Sequence, residues 1–242
     1  SKGRPAFTTG RLLREAGVDY TVFCEPQDAA AYEAQLHADV HVLDANDQGI
    51  SYARNAMIAE GRRRGARWVW TIDDDITRFT EYDPAIDKHV TSDPGHVLRS
   101  ALDQADKIAG CVIAGLEMFQ FAWSSKGKAR LDTSSIQVVA LNLADGWFLQ
   151  YPAHYMEDRA ICMQAITSGY RTVRFTRWAY RTPPMGSNRG GCQAFAERSE
   201  KQQEAVRQLV ATYGPAIVTP VFKPKLRWWD CRINWQKLKG KR

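Results

Sequence analysis

Short apolar runs alternate with helical stretches through the first half of this chain of 242 residues. A helix is expected over residues 8–16, closed by Gly17, which tolerates the backbone of a helix end. Residues 20–24 read as a short buried strand that stops at Glu25-Pro26, because proline cannot donate to a ladder. Residues 28–37 read as a helix and residues 40–43 as a strand. A helix over residues 49–65 takes Ser51 as its cap and Ala53, Met57 and Ile58 as its apolar face. Trp68, Val69, Trp70 and Ile72 then form an apolar, β-favouring run suited to a buried strand.

The chain turns polar through residues 81–94, and Asp93 can cap a helix over residues 94–108. Residues 111–121 and 135–143 read as strands on either side of a polar, basic loop at 124–132, expected to be mobile. An amphipathic helix runs from the Glu157-Asp158 pair to Ser168, Gly169 closes it, and a short strand follows at 172–175. Gly, Pro, Ser and Asn dominate residues 181–192, which marks a loop, and a helix follows over residues 193–213. Alternating strands and helices followed by a strand-rich middle predict an α/β sheet with an inserted, partly antiparallel section.

Composition is ordinary for a globular protein, with 44% hydrophobic and 25% charged residues. No apolar run approaches a bilayer span, and no signal peptide is visible. The cysteines are odd in number and scattered without metal-ligand spacing, which predicts reduced, mostly buried thiols in a cytoplasmic protein; no obligate protein partner is evident in the sequence. Charge changes the picture more. Residues 1–170 hold 17 Lys and Arg against 23 Asp and Glu, whereas residues 171–242 hold 16 against 4. A basic block beside an acid-bearing half suits a polyanionic partner next to a cation site.

The candidate chemistry lies in a few stretches. Asp73, Asp74 and Asp75 end the Trp68 strand. Three adjacent carboxylates must meet solvent, a cation or a polar ligand, and ligands of open α/β sheets bind at carboxyl strand ends. A divalent ion needs only one or two such carboxylates plus substrate phosphates, although a solvated acidic turn is the plain alternative. The opening Ser1-Lys2-Gly3-Arg4-Pro5 joins a permissive glycine to two cations and can receive phosphate, or is an ordinary terminus. Arg54-Asn55 would point toward the acidic crevice, whereas Arg62, Arg63 and Arg64 complement a helix end. Glu157 and Asp158 either stabilise a helix start or supply a general base. The 181–192 loop can close over a diphosphate with its backbone N–H groups. In residues 223–242 basic side chains interleave with Trp228, Trp229 and Trp235, a pattern read as packed tryptophans with some phosphate-contacting cations.

The order of these motifs resembles GT-A fold glycosyltransferases. The wording SKGRP, ARN, TIDDDI, YMEDRAICMQAITSGYRT and a closing Gly-Gly is similar to the TET/JBP-associated glycosyltransferases, over roughly residues 1–195. That family is encoded largely by phages and is thought to add sugars to hydroxymethylated pyrimidines in DNA. The resemblance implies a Rossmann-like central mixed sheet flanked by helices, a catalytic domain over residues 1–195, and a C-terminal helix and basic tail over 196–242 packed on it. It implies UDP-glucose as the default donor and Mn²⁺ or Mg²⁺ as the cation. By the same resemblance Ser1, Lys2, Gly3, Arg4, Glu25, Gln48, Gly49, Arg54, Asn55, Asp73, Asp74, Thr182, Gly190 and Gly191 would bind the nucleotide-sugar. Asp75, with Asp73, would hold the metal, and Asp158, or else Glu157, would be the catalytic carboxylate. Lys223, Lys225, Arg227, Arg232 and Lys237 would contact double-stranded DNA carrying hydroxymethylated bases. Two departures stand out. The family has a strand ahead of the SKGR turn, and many GT-A enzymes use a late histidine on the metal, whereas the last histidine here is His154. The alternatives are a GT-A transferase with a protein, lipid or glycan acceptor, and a non-catalytic DNA-binding module on the same fold.

Overall fold

A computed structural model describes residues 3–4, 7–35, 39–145, 148–152, 156–184 and 195–240. The chain runs α1 (Thr8–Glu15), β1 (Thr21–Cys24), α2 (Ala29–Gln35), β2 (Asp39–Val42), α3 (Ile50–Arg63) and β3 (Trp68–Ile72). It continues through β4 (Arg78–Asp83), β5 (Lys88–Thr91), α4 (Pro94–Ala105), β6 (Cys111–Met118), α5 (Phe119–Ala122), β7 (Ala129–Leu131) and β8 (Val138–Asn142). The last elements are α6 (Glu157–Thr167), β9 (Arg171–Arg181), α7 (Phe195–Tyr213), β10 (Val218–Lys223), β11 (Trp228–Ile233) and α8 (Trp235–Lys239).

The main sheet has seven strands in the order β3-β8-β6-β9-β4-β5, with β7 paired beside β9. β6 and β9 are parallel, and β8 runs antiparallel to both β3 and β6. The carboxyl ends of β3, β6 and β9 therefore share one edge of the sheet. Side chains on β8 divide by the two-residue period of a strand. Val138 and Ala140 enter a core with α1 and α4, whereas Val139 and Leu141 enter a second core with α3 and α6. A third core lies on the outer side of α6, where Ala160, Met163 and Ile166 meet Val206 and Leu209 of α7, Val218, Cys231 and Leu238. The mixed sheet flanked by helices agrees with the expected architecture, but β1 and β2 form a separate parallel pair.

Several local expectations change. The polar stretch after the acids is a β-hairpin, β4–β5, turning at Asp87 with φ 52°. The basic loop contains β7, which pairs with β9. β9 is much longer than the predicted 172–175, since it carries β6 along one side and β7, then β4, along the other. β3 is half-buried rather than buried, because among the described residues only β8 pairs with it. On α3, Gly49 at φ 83° is the N-cap, and Ser51 lies inside the helix. The buried stripe of α3 is Ser51, Arg54, Ile58 and Gly61, so a charged residue occupies the face assigned to apolar ones. Asp93 does cap α4, accepting from the His96 backbone N–H at 2.7 Å. Cys24, Cys111, Cys162 and Cys231 are free buried thiols. Among the described residues, no helix is long and apolar enough to cross a membrane.

Candidate active site

Arg54 is 5% exposed. An arginine is buried this deeply only when its donors are matched. Its guanidinium donates to Asp73 Oδ1 at 3.1 Å and to Glu157 Oε1 at 2.8 Å, and it lies 5.3 Å from the Tyr151 ring centre. One side chain thus joins the α3 motif, the acid run after β3 and the acid pair opening α6. Burial works against the charged form of Arg54, but Asp73, Tyr151, Glu157 and Asp158 outweigh it and hold the guanidinium firmly protonated. Burial pushes the Tyr151 phenol up to about 12. The neighbouring Asn55 has both amide groups on the Tyr151 backbone, giving to the carbonyl and accepting from the N–H at 2.8 Å each. Asn55, expected toward the donor, thereby fixes the segment that carries Tyr151.

The acid run is pinned from the N-terminal side as well. Arg4 pairs with Asp74 at 3.0 Å, and its backbone N–H donates to the Tyr32 hydroxyl at 3.1 Å. The Gly3 N–H donates to Asp28 at 2.9 Å, with Gly3 at φ 62°. The Thr9 hydroxyl donates to the Asp73 carbonyl at 2.7 Å and accepts from the Ile76 N–H at 2.8 Å. These bonds bend the chain between Asp73 and Ile76, which aligns the acids along the sheet edge. Thr77 N–H donates to the Arg181 carbonyl at 2.8 Å, so the turn also adjoins the end of β9, where Thr182 follows. Glu25 is buried and accepts from Asp47 N–H at 3.1 Å and Gln27 at 2.7 Å, which holds the loop leading to Gly49. Gln48 donates to the Asn46 carbonyl at 3.0 Å.

At the start of α6, Met156 adopts φ 64° and turns Glu157 and Asp158 toward Arg54. Burial raises both carboxyl pKa values; Arg54 opposes the shift at Glu157, and Arg159 with Arg54 opposes it at Asp158. Asp158 Oδ1 accepts from the Arg159 N–H at 2.9 Å. Arg159 in turn pairs with Asp230 of β11 and donates to the Cys231 carbonyl at 3.0 Å. Asp230 also pairs with Lys223. Of the cations expected on DNA, Lys223 therefore has an internal partner, whereas Lys225, Arg227, Arg232 and Lys237 are exposed around the β10–β11 hairpin. Trp228 is buried in that hairpin, and Trp229 and Trp235 pack against the third core.

Ser1, Lys2, Gly190 and Gly191 lie outside the described residues, as does His154. Arg54 brings Asp73 and Glu157 together, Arg4 holds Asp74, and Gly3 is bonded to Asp28. Sequence reasoning missed Thr9, Tyr151, Arg159 and Asp230. Their partners lie 64 to 96 positions away, or 71 for Arg159 and Asp230, and no local pattern encodes such distances. Among the described residues, no group of three His, Cys, Asp or Glu side chains is assembled to hold a metal alone. The acids nonetheless offer hard oxygen donors, and Mg²⁺ or Mn²⁺ is commonly held by one or two carboxylates with phosphate and water completing the shell.

The family model described as TET-Associated Glycosyltransferase matches residues 1–191. Among solved structures, the chain is similar to Staphylococcus aureus TarS 1–349, with a TM-score of 0.51 and 13% identity over 87% of this chain. The chain spans 62% of that TarS fragment, and the likeness at this identity is one of fold. A second TarS 1–349 structure, in complex with UDP, aligns with a TM-score of 0.47 and 14% identity over 76% of this chain and 59% of that one. No curated protein sequence matches the chain.

Proposed function

The chain belongs to the TET-associated glycosyltransferase family, and we propose that it transfers a sugar from a nucleotide-sugar to the hydroxymethyl group of a modified pyrimidine in DNA. The observation that carries this reading is Arg54, which gathers Asp73 and Glu157, the acids of two separate motifs, at one end of the sheet. Open α/β sheets take their ligands at that end. UDP-glucose is the donor we assign by default.

In this reading Gly3, Arg4 and Glu25 line the nucleotide side, with Ser1 and Lys2 ahead of them. Thr182, which follows β9 beside the acid run, is assigned to the donor, as are Gly190 and Gly191, which lie outside the described residues. Asp75, with Asp73, would hold Mn²⁺ or Mg²⁺. The ion would supply Lewis-acid stabilisation of the departing diphosphate. Asp158 takes the proton of the acceptor hydroxyl. A carboxyl whose pKa is raised by burial is a stronger base than a solvated one, and this suits the task. For direct displacement the hydroxymethyl oxygen bonds to the anomeric carbon as the carbon–oxygen bond to the diphosphate breaks. The bonding pair leaves with the nucleoside diphosphate, and the hydroxyl proton goes to Asp158. Glu157 is spent on Arg54 and positions the helix start rather than taking the proton.

The test incubates the protein with Mn²⁺, a panel of nucleotide-sugars and two matched duplexes, one with 5-hydroxymethylcytosine and one with cytosine. Nucleoside masses are read after digestion. A hexose-sized gain confined to the hydroxymethylated duplex is expected, and Asp75→Ala should abolish it with the fold intact. Unchanged turnover in that variant would overturn the assigned metal site. Donor hydrolysis without any gain on DNA would move the acceptor to a protein, lipid or glycan.

A further inference from the structure

Residues 118–131 carry three cations and no acid, although they lie in the acidic part of the chain. The same segment bears the two most exposed aromatics of its surroundings, Phe121 at 52% and Trp123 at 68%. Trp123 is held rather than loose, since its indole N–H donates to the Gln120 carbonyl at 2.9 Å. Behind it, Lys126, Lys128 and Arg130 line a concavity of about 340 Å³. Lys126 pairs with Asp87 at 2.9 Å and Arg130 approaches Glu117 at 3.6 Å. The Lys126–Asp87 pair is exposed on both sides and contributes little, so an anion can exchange into it, and the buried Glu117 keeps Arg174 at 3.1 Å as a second partner.

The segment also starts in the right place. β6 ends at Met118, paired with Tyr180, and the next residue, Phe119, lies under the Arg181 guanidinium at 3.6 Å. Arg181 accepts from Thr77 next to the acid run. From there the segment runs back along β9, with Ala129 opposite Phe175 and Lys126 on Asp87 of the β4–β5 turn, so only an extended polymer lying on residues 121–130 would also reach, past Phe119, the sheet edge that carries Asp73. The C-terminal hairpin also keeps Lys225, Arg227, Arg232 and Lys237 exposed, but its Trp228 is buried and Trp229 and Trp235 pack on the third core, which leaves those rings less available than Trp123.

We propose that residues 121–130 form the docking surface for duplex DNA. Trp123 and Phe121 offer ring faces to a base taken out of the stack, and Lys126, Lys128 and Arg130 meet backbone phosphates. This extends the proposed DNA acceptor and rests on it.

The test measures binding of a fluorescent 5-hydroxymethylcytosine duplex by anisotropy over a salt series, alongside transfer by the unaltered protein. The Phe121→Ala/Trp123→Ala variant should bind about 10-fold more weakly or worse, as expected when an extruded base loses its aromatic face. The Lys126→Ala/Lys128→Ala variant should lower the slope of log affinity against log salt by about 2, near one for each phosphate contact. Unchanged melting temperatures show that both variants fold. Affinity and slope equal to the unaltered protein, or loss only in a Lys225→Ala/Arg227→Ala/Arg232→Ala variant, would overturn the surface. An unaltered protein that neither binds nor modifies the duplex would overturn the acceptor reading itself, and the surface with it.

Discussion

Replacing Arg54 by methionine keeps a long apolar stem and deletes the charge shared by Asp73 and Glu157. Glu157 is 13% exposed at its side chain and cannot recover water; Asp73, at 31%, partly can. Deleting one partner of a buried pair costs about 3–5 kcal/mol, because the other charge is left uncompensated. For a chain of this size that lowers the melting temperature by roughly 6–20 °C. The cost should depend on pH. Burial already raises the Glu157 carboxyl, and loss of Arg54 raises it further. A folded-state pKa above the unfolded value of about 4.3 means that stability is full at low pH and is lost as pH rises through the folded value. The Arg54→Met penalty should therefore be smaller at pH 5 than at pH 8. Adding Glu157→Gln removes the stranded charge, so the double variant should lose at least about 1 kcal/mol less than the two single losses combined. Denaturant melts of the four proteins at two pH values make the comparison. Losses that add within about 0.5 kcal/mol, with no pH dependence, would refute Arg54 as the common partner of the two motifs.

The remaining predictions concern the surroundings of that network. Asp230→Asn should cost about 1.5–3 kcal/mol for the charged hydrogen bond lost from Arg159 and at most about 1 kcal/mol for that from the exposed Lys223, and should lower kcat more than it raises the donor KM. Burial raises the Asp230 carboxyl, but Lys223 and Arg159 more than reverse this, so its contribution is present above about pH 3.9 and is lost on acidification; the variant should show a shallower acid limb in thermal melts. Gly115→Ala would put a Cβ 2.2 Å from the Ser135 Cβ, and should destabilise by about 1–3 kcal/mol, with Ser135→Gly restoring most of the loss in a denaturant melt.

What the sequence made legible was apolar periodicity and motif order. The β3 run, its three acids and the acid pair opening α6 are local features, and each stands where the spacing put it. The role of Arg54 was not legible, because periodicity reports apolar burial and a buried arginine depends on distant partners. The β4–β5 hairpin was hidden for a related reason. Its burial is confined to Phe79 and Thr80, so its polar remainder looks like a loop. β9 shows no simple alternation either; buried positions occur in pairs and triples because the strand is covered on both faces and changes partners along its length. The pairing of Arg159 with Asp230 crosses 71 positions and involves a hairpin beyond the residues that the family match covers.

The charge asymmetry of the chain is also different in space from what it is in sequence. The basic residues after 170 supply counter-ions to acids before it: Arg171 and Lys239 to Asp132, Arg174 to Glu117, Arg177 to Glu81. Asp132 and Glu117 are each 3% exposed at the side chain, and carboxylates so deeply placed require such partners. Four of the 16 basic residues after 170 are therefore engaged in holding the sheet and its flanking layers together. A polyanion is recognised by cations that remain exposed, not by the net charge of a segment. By that measure the run from Lys126 to Arg130 and the exposed Lys225, Arg227, Arg232 and Lys237 of the tail both qualify, and what sets the first apart is the pair of exposed aromatics, Phe121 and Trp123, within the same short segment.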